Sequence, residues 1–181
     1  MVVFGLDRAA APPPHTALQM LQSFGGDFWC MYIGGPTSAA SGWTPGLVGQ
    51  YVAAGIGAFL PIYTGRQAGG PLTAGQGAQD AQEAITLMQQ FGWGAGALCT
   101  LDVEAGTSES NLPGAVAYSD GWCAVMRGAG YVPGVYGTTS FLTRLSSETN
   151  RPSFAFPARW VTEMCQAHYP HTWHVGAGLA A

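Results

Sequence analysis

The sequence predicts an α/β protein built as a short or incomplete (β/α) barrel, with six to seven recognisable strands and an eighth apparently missing. Three observations predict it. Apolar runs of strand length alternate with segments of helical period, which argues for parallel strands covered by helices. Within the strands, one set of alternate positions is apolar and the other carries the polar groups. Finally, the acids collect at strand C-termini, the end at which barrel active sites lie.

The strand candidates are Val2 to Asp7, Phe28 to Ile33, Ala58 to Tyr63, Ala97 to Glu104, Val132 to Tyr136 and Ala158 to Val161, with Thr172 to Val175 as a seventh. In the first, Val2, Phe4 and Leu6 are expected to meet helices, while Val3, Gly5 and Asp7 face the other way. In the fourth, Leu98, Thr100, Asp102 and Glu104 take that second side. Pro12 to Pro14 precede a first helix containing Leu18, Leu21 and Phe24, and Gly25-Gly26 can stop it, because glycine accepts the left-handed cap conformation. Steps of three and four mark two more helices, through Ala78, Ala81, Ile85 and Met88, and through Ala115, Tyr118, Trp122, Val125 and Ala129. Gly92 and Gly128 to Gly130 end them. A full barrel of this kind usually needs about 250 residues. With 181 here, something is missing at the C-terminal end.

Composition narrows the function. With 48% hydrophobic and 9% charged residues, positions 1–181 form a single domain with a substantial core. Net charge is −4 and all six basic residues are Arg, so no basic stripe awaits nucleic acid. Without Lys there is neither a phosphate loop of the G-K-[ST] kind nor a Schiff-base lysine. The 27 glycines are roughly twice ordinary usage, fall at the ends of apolar runs and read as turns. No apolar stretch reaches the roughly 18 residues of a spanning helix, so membrane insertion is not expected. Met1 to Asp7 lacks the basic start and long apolar middle of a signal peptide, so if the protein is exported, it leaves by another route. Cys30, Cys99, Cys123 and Cys165 are widely spaced, contain no C-x-x-C and read as packed thiols.

The best evidence for chemistry is the pair Asp102 and Glu104, closing a buried-strand pattern before a Gly/Ser/Asn-rich loop. Residues i and i+2 of a strand share a side, so both acids lie on one surface, with Leu101 and Val103 on the other. The competing reading is a strand that simply ends in solvated acids. Tyr32, Tyr63 and Tyr136 end strands beside or near Gly and either line a groove or belong to the core, whereas Trp93 and Trp122 read as buried on helices. Asp27, Asp80 and Asp120 sit beside helices or their ends, where capping and solvation explain an acid. His168, His171 and His174 repeat every three residues, but Pro170 interrupts any helix and an extended chain turns successive members to opposite sides, so no metal site follows. Gly92-Trp93-Gly94-Ala95-Gly96 runs from helix to strand, the reverse of a dinucleotide loop. G-x-S-x-G is absent. Neither cofactor nor metal is implied.

The set Gly5-Leu6-Asp7, Tyr32-Ile33-Gly34-Gly35, Pro61-Ile62-Tyr63, Leu101-Asp102-Val103-Glu104, Gly134-Val135-Tyr136-Gly137 and Ala158-Arg159-Trp160 resembles the glycoside-hydrolase-like barrels of actinobacteria and their phages, relatives of the family-25 muramidases. The resemblance covers nearly the whole chain, one motif per expected strand. It implies a TIM-type barrel that acts on bacterial cell-wall glycan, or derives from enzymes that do. By the same resemblance Asp7, Asp102 and Glu104 match the catalytic acids, with Glu104 the proton donor. Tyr32, Tyr63, Tyr136 and Trp160 match groove positions, and Trp173 matches a seventh-strand Trp. Relatives finish on an eighth strand carrying another acid, where this sequence ends in Gly176-Ala177-Gly178-Leu179-Ala180-Ala181.

Cleaving a glycosidic bond needs one protonated carboxyl for the leaving oxygen and an anionic group to support an oxocarbenium-like transition state. Clustered like charges raise the pKa of the acid least able to stay ionised, which assigns the proton to Glu104 and leaves Asp102 and Asp7 ionised. An i, i+2 pair spans either the retaining or the inverting separation, and a substrate-assisted route through an acetamido group also fits a wall substrate. Three functions are therefore weighed: a hydrolase of peptidoglycan or a related envelope glycan; a silent wall-binding or structural module, for instance in a phage tail; and a cytosolic barrel enzyme with a small-molecule substrate. A virion-associated or envelope location reconciles wall activity with the missing signal. The Lys-free, Ala/Gly-rich composition suits an actinobacterial host, and neighbouring subunits are expected to cover an open barrel edge.

Overall fold

A computed structural model describes residues 2–7, 10–38, 42–66, 72–103, 111–157 and 164–168. The order is β1 (Val2–Asp7), α1 (Pro14–Ser23), β2 (Phe28–Gly34), α2 (Pro45–Ala53), β3 (Phe59–Thr64), α3 (Ala74–Gln90), β4 (Leu98–Asp102), α4 (Leu112–Gly128), β5 (Val132–Gly137), α5 (Thr139–Leu145), β6 (Phe154–Pro157) and β7 (Met164–His168). The strands form one seven-stranded sheet in the order β6-β5-β4-β3-β2-β1-β7. Strands β1 to β6 pair in parallel, as the alternation of strand and helix predicts.

The helix boundaries have local causes. Pro14 sits in the first turn of α1, where its missing N–H costs nothing, and Gly25 at φ +62° follows the helix end with the Gly26 N–H on the Leu21 carbonyl at 2.7 Å. Helices α2, α3 and α5 each begin with a threonine whose side chain accepts a backbone N–H: Thr44 from Leu47, Thr73 from Gln76 and Thr138 from Phe141. Thr73 and Gln76 complete a reciprocal capping box. Gly92 and Gly130, both at positive φ, stand at the ends of α3 and α4 as expected.

Two layers of apolar side chains follow from strand alternation. On the outer side Met31, Ile33, Tyr63, Cys99, Leu101, Val103 and Val135 pack with the buried stripes of α3, α4 and α5. Leu6 and Trp29 pack with Ala17, Leu21 and Tyr51 of α1 and α2. On the inner side Phe28, Cys30, Leu60 and Ile62 gather with Tyr32, Leu98, Val132 and Tyr136. Helices α3 and α4 approach closely because Gly77 faces Tyr118 and Gly121 faces Ala74; a Cβ on either glycine would lie about 2 Å from a backbone carbonyl oxygen.

The C-terminal region corrects the sequence reading. The sixth strand is Phe154–Pro157, just ahead of the expected Ala158 to Val161, which lies outside the described residues, as does Thr172 to Val175. The seventh is Met164–His168, and it runs antiparallel to β1, with Val2 opposite His168 and Leu6 opposite Met164. Only residues 158–163 separate β6 from β7, too few for the crossover a parallel strand needs. Those residues span at most about 25 Å. A flat seven-stranded sheet would put its edges about 29 Å apart, so the sheet must curl. Strands β6 and β7 indeed come within 8 Å at Cα, although among the described residues no ladder joins them.

Smaller departures have equally local causes. Phe24 falls just past α1, as its C-cap residue, and is exposed. Trp93 lies beyond α3, stacked on Phe91 with ring centroids 5.2 Å apart, whereas Trp122 is fully buried on α4 as expected. Cys30, Cys99 and Cys123 are buried thiols outside any disulfide. Cys165 lies in β7 opposite Gly5.

Candidate active site

The C-terminal ends of β2 to β5 build a polar end on an otherwise apolar inner face. Leu98, Thr100 and Asp102 alternate with the outward Cys99, Leu101 and Val103 along β4, which places Asp102 on the inner side at the last strand position. Its ladder partners are Thr64 of β3 and Tyr136 of β5. One step below run Tyr32, Ile62, Thr100 and Gly134. Asp102 is only 9% exposed.

The backbone around this end is tied across strands. The Gly65 N–H donates to the Asp102 carbonyl at 2.8 Å, and the Val103 N–H to the Tyr136 carbonyl at 3.4 Å. The Thr37 hydroxyl, from the segment after β2, donates to the Gly65 carbonyl at 2.6 Å. Gly35 takes φ +121°, and a Cβ there would lie 2.0 Å from the Thr64 carbonyl oxygen, so this close crossing requires glycine.

Behind Gly65, Arg66 reaches outward to Asp80 of α3. The guanidinium Nε and Nη2 each donate to the carboxylate at 2.8 Å, and the Tyr118 hydroxyl of α4 donates to the same group at 2.7 Å. Tyr118 also accepts the Arg66 backbone N–H at 3.3 Å. The hydrogen bond to Asp80 raises the Arg66 pKa, while burial first and the Asp80 contact second raise that of Tyr118. This is a correction for Asp80, a buried ion-pair partner and neither a cap nor a solvated acid; Asp120, part-buried, accepts two bonds from Asn150 at 2.9 and 3.1 Å. The signal for Asp80 was its spacing, three residues after Gly77 and four before Ala84, on the buried stripe of α3.

Of the residues expected at the site, Asp102, Tyr32 and Tyr136 share the inner face. Tyr63 does not. Its odd position turns it outward into the helical layer, where it is fully buried and its hydroxyl donates to Glu83 at 2.6 Å. Burial and then this bond push the Tyr63 pKa well above the usual phenol value. Asp7 is the last residue of β1 and the ladder partner of Cys30. Glu104, Trp160 and Trp173 lie outside the described residues. The sequence places Thr100 on the side of Asp102 without giving it a role, and Thr64 was missed as the inner-face neighbour of Asp102; the i, i+2 spacing from Leu60 and Ile62 was the available signal. Among the described residues no group of three or more His, Cys, Asp or Glu is placed to hold a metal, and no helix is long and apolar enough to cross a membrane.

Six parallel strands with helices on the outer side and a carboxylate at the inner C-terminal rim define a TIM-like, barrel-type fold of the glycoside-hydrolase-like class. The family model for the Rv2525c-like, glycoside hydrolase-like domain matches residues 19–179, and the chain belongs to that family. Its fold is similar to that of the Tat-secreted protein Rv2525c of Mycobacterium tuberculosis, solved in complex with HEPES, at a TM-score of 0.67 and 15% identity, over 88% of this chain and 79% of that one. An uncharacterized B. stearothermophilus protein gives a TM-score of 0.63 at 19% identity, over 87% and 75% of the two chains. The modular autolysin LytC of Streptococcus pneumoniae, solved with a synthetic peptidoglycan ligand, gives 0.58 at 12% identity, over 83% of this chain and 36% of LytC. No curated protein matches the chain at a significant level.

Proposed function

We propose that this protein is a glycosidase of the bacterial cell envelope, acting on peptidoglycan or a related glycan in the manner of a muramidase. The observation that carries the reading is the position of Asp102, a buried carboxylate ending a central strand on the inner face of a glycoside hydrolase-like domain. In this reading Glu104, two residues further on, is the general acid, and Asp102 and Asp7 are its anionic partners. Tyr32 and Tyr136 offer ring faces to the C–H faces of a sugar, with Trp160 and Trp173 as further groove aromatics. Tyr63, held by Glu83 in the outer layer, has no part in it.

The acid chemistry follows from charge. Two anions beside Glu104 disfavour its ionised form, which keeps a proton available for the leaving oxygen while the anions support positive charge building on the sugar ring. The peptidoglycan ligand of LytC supports this substrate class, and Tat secretion of the mycobacterial relative supports work in the envelope. In its finer form the reading is of an actinobacterial wall reached on a phage particle, with neighbouring subunits over an exposed sheet edge; the Lys-free, Ala/Gly-rich composition supports the actinobacterial host.

The test is release of soluble muropeptides from purified actinobacterial walls by wild type and by Glu104→Gln, which keeps shape and removes the titratable proton. Release by wild type and its loss in the variant is expected. Equal release by both ends the acid assignment. Wall binding without release, undiminished in the variant, replaces catalysis with recognition.

A further inference from the structure

Two hydroxyls inside the strand layer have no hydrogen-bond partner among the described residues. Thr64 is 8% exposed and Thr100 is 1% exposed, and the Oγ1 of each is buried and unpartnered. Such a group destabilises the fold relative to a partnered one. Valine would fill almost the same volume, suit a strand equally well and remove that cost. The outward-facing neighbours of Thr100 on its own strand, Cys99 and Leu101, are in fact apolar.

The location of the two hydroxyls is specific. Thr64 continues the inner-face series Leu60, Ile62, and Thr100 continues Leu98. The ladder sets Thr64 opposite Asp102, and Thr100 opposite Ile62, two residues before Asp102 on the same side of β4. The inner face is thus apolar low in the sheet and turns polar only at its C-terminal end. The other unpartnered buried polar atoms among the described residues lie elsewhere: the Trp29 indole packs against α1 and α2, the Trp43 indole against Tyr51 of α2, and Trp122 and Ser119 belong to α4.

We propose that Thr64 and Thr100, beside Asp102, form a polar notch that binds a hydroxyl-bearing group of the ligand. A threonine hydroxyl both donates and accepts, so the pair suits a neutral hydroxyl, which does the same, while the carboxylate alongside accepts its proton. The inference rests on the inner C-terminal rim being the ligand face. It goes further by assigning two uncharged residues to sugar-hydroxyl recognition. It also accounts for why hydroxyls persist where methyl groups would stabilise: a ligand recovers on binding what the free protein forgoes.

The test uses Thr64→Val and Thr100→Val in the full chain. Thermal midpoints are measured beside binding of two probes, chitotetraose and glycerol, followed by NMR titration. Each variant is expected to be at least as stable as wild type and to bind chitotetraose about tenfold more weakly, the order of one lost hydrogen bond. A clear drop in midpoint for either variant would show that its hydroxyl is partnered within the free fold and overturns the proposal. Unchanged binding in stable variants overturns it as well, and so does a wild type that binds neither probe. If wild type binds glycerol, loses it on either substitution and ignores chitotetraose, the notch stands and the glycan reading fails.

Discussion

The Asp80 carboxylate of α3 grips the Arg66 guanidinium at the end of β3 through two bonds of 2.8 Å, and so fastens the helical layer to the strand end beside Asp102. The two partners are unequally buried, Asp80 at 4% and Arg66 at 36% exposure. Removing one or the other therefore has unequal consequences. Arg66→Ala leaves a buried charge uncompensated, a loss of about 3–5 kcal/mol. In Asp80→Ala the half-exposed guanidinium regains water, and the loss is smaller, about 2 kcal/mol. Urea denaturation of both variants and of the double variant checks this: the double variant should be more stable than Arg66→Ala alone. The reverse order would mean that Tyr118, and not the ion pair, carries the network.

Glycines on helices should respond in opposite directions. Gly77→Ala places a methyl about 2 Å from the Tyr118 carbonyl oxygen and must push α3 and α4 apart, at a cost of roughly 1–3 kcal/mol or more. Gly49, inside α2, has nothing within 4 Å of the place a methyl would take, and Gly49→Ala should stabilise by about 0.5–1 kcal/mol through helix propensity. Thermal midpoints that move the same way in both would contradict the close packing of α3 on α4.

Buried acids of high pKa set the response to alkali. Burial pushes the Cys123 thiol from 9.0 up to about 12, and raises Cys99, Tyr63 and Tyr118 as well. Above about pH 9 the unfolded chain releases protons that the folded protein keeps, so stability falls as pH rises, by about 1.4 kcal/mol per pH unit for each such group. Urea midpoints measured from pH 8 to 11 should decline accordingly, and Cys123→Ala should decline less steeply. A flat profile would mean that these groups are hydrated in the fold.

The parallel sheet was legible because both periods are strong in this sequence: strand-length apolar runs, and the stripe through Ala81, Ile85 and Met88 of α3. Glycine stops at Gly25, Gly92 and Gly130 were legible for the same reason, since each takes a positive φ that other residues resist. What escaped depended on tertiary partners. The helices α2 and α5 are short, and little beyond the caps at Thr44 and Thr138 and the first-turn Pro45 announces them. The antiparallel β7 is fixed by a connection too short for a crossover and by pairing with β1, which no local pattern encodes. At the site, Asp102 with Tyr32 and Tyr136 followed from alternation, whereas Tyr63, one residue out of phase, joins them by motif alone. Asp80 reads as an ordinary helix acid because its partner Arg66 lies on another element.

The central claim is that the carboxylate at the end of β4 takes part in breaking a glycosidic bond. The most direct measurement is the rate at which new reducing ends appear in purified cell walls treated with wild type and with Asp102→Asn, at matched thermal midpoints. The account predicts a measurable wild-type rate and a fall of at least about a hundredfold in the variant, the order of a lost acid–base or charge-stabilising group. An Asp102→Asn protein that is as stable as wild type and cleaves at the wild-type rate would contradict it.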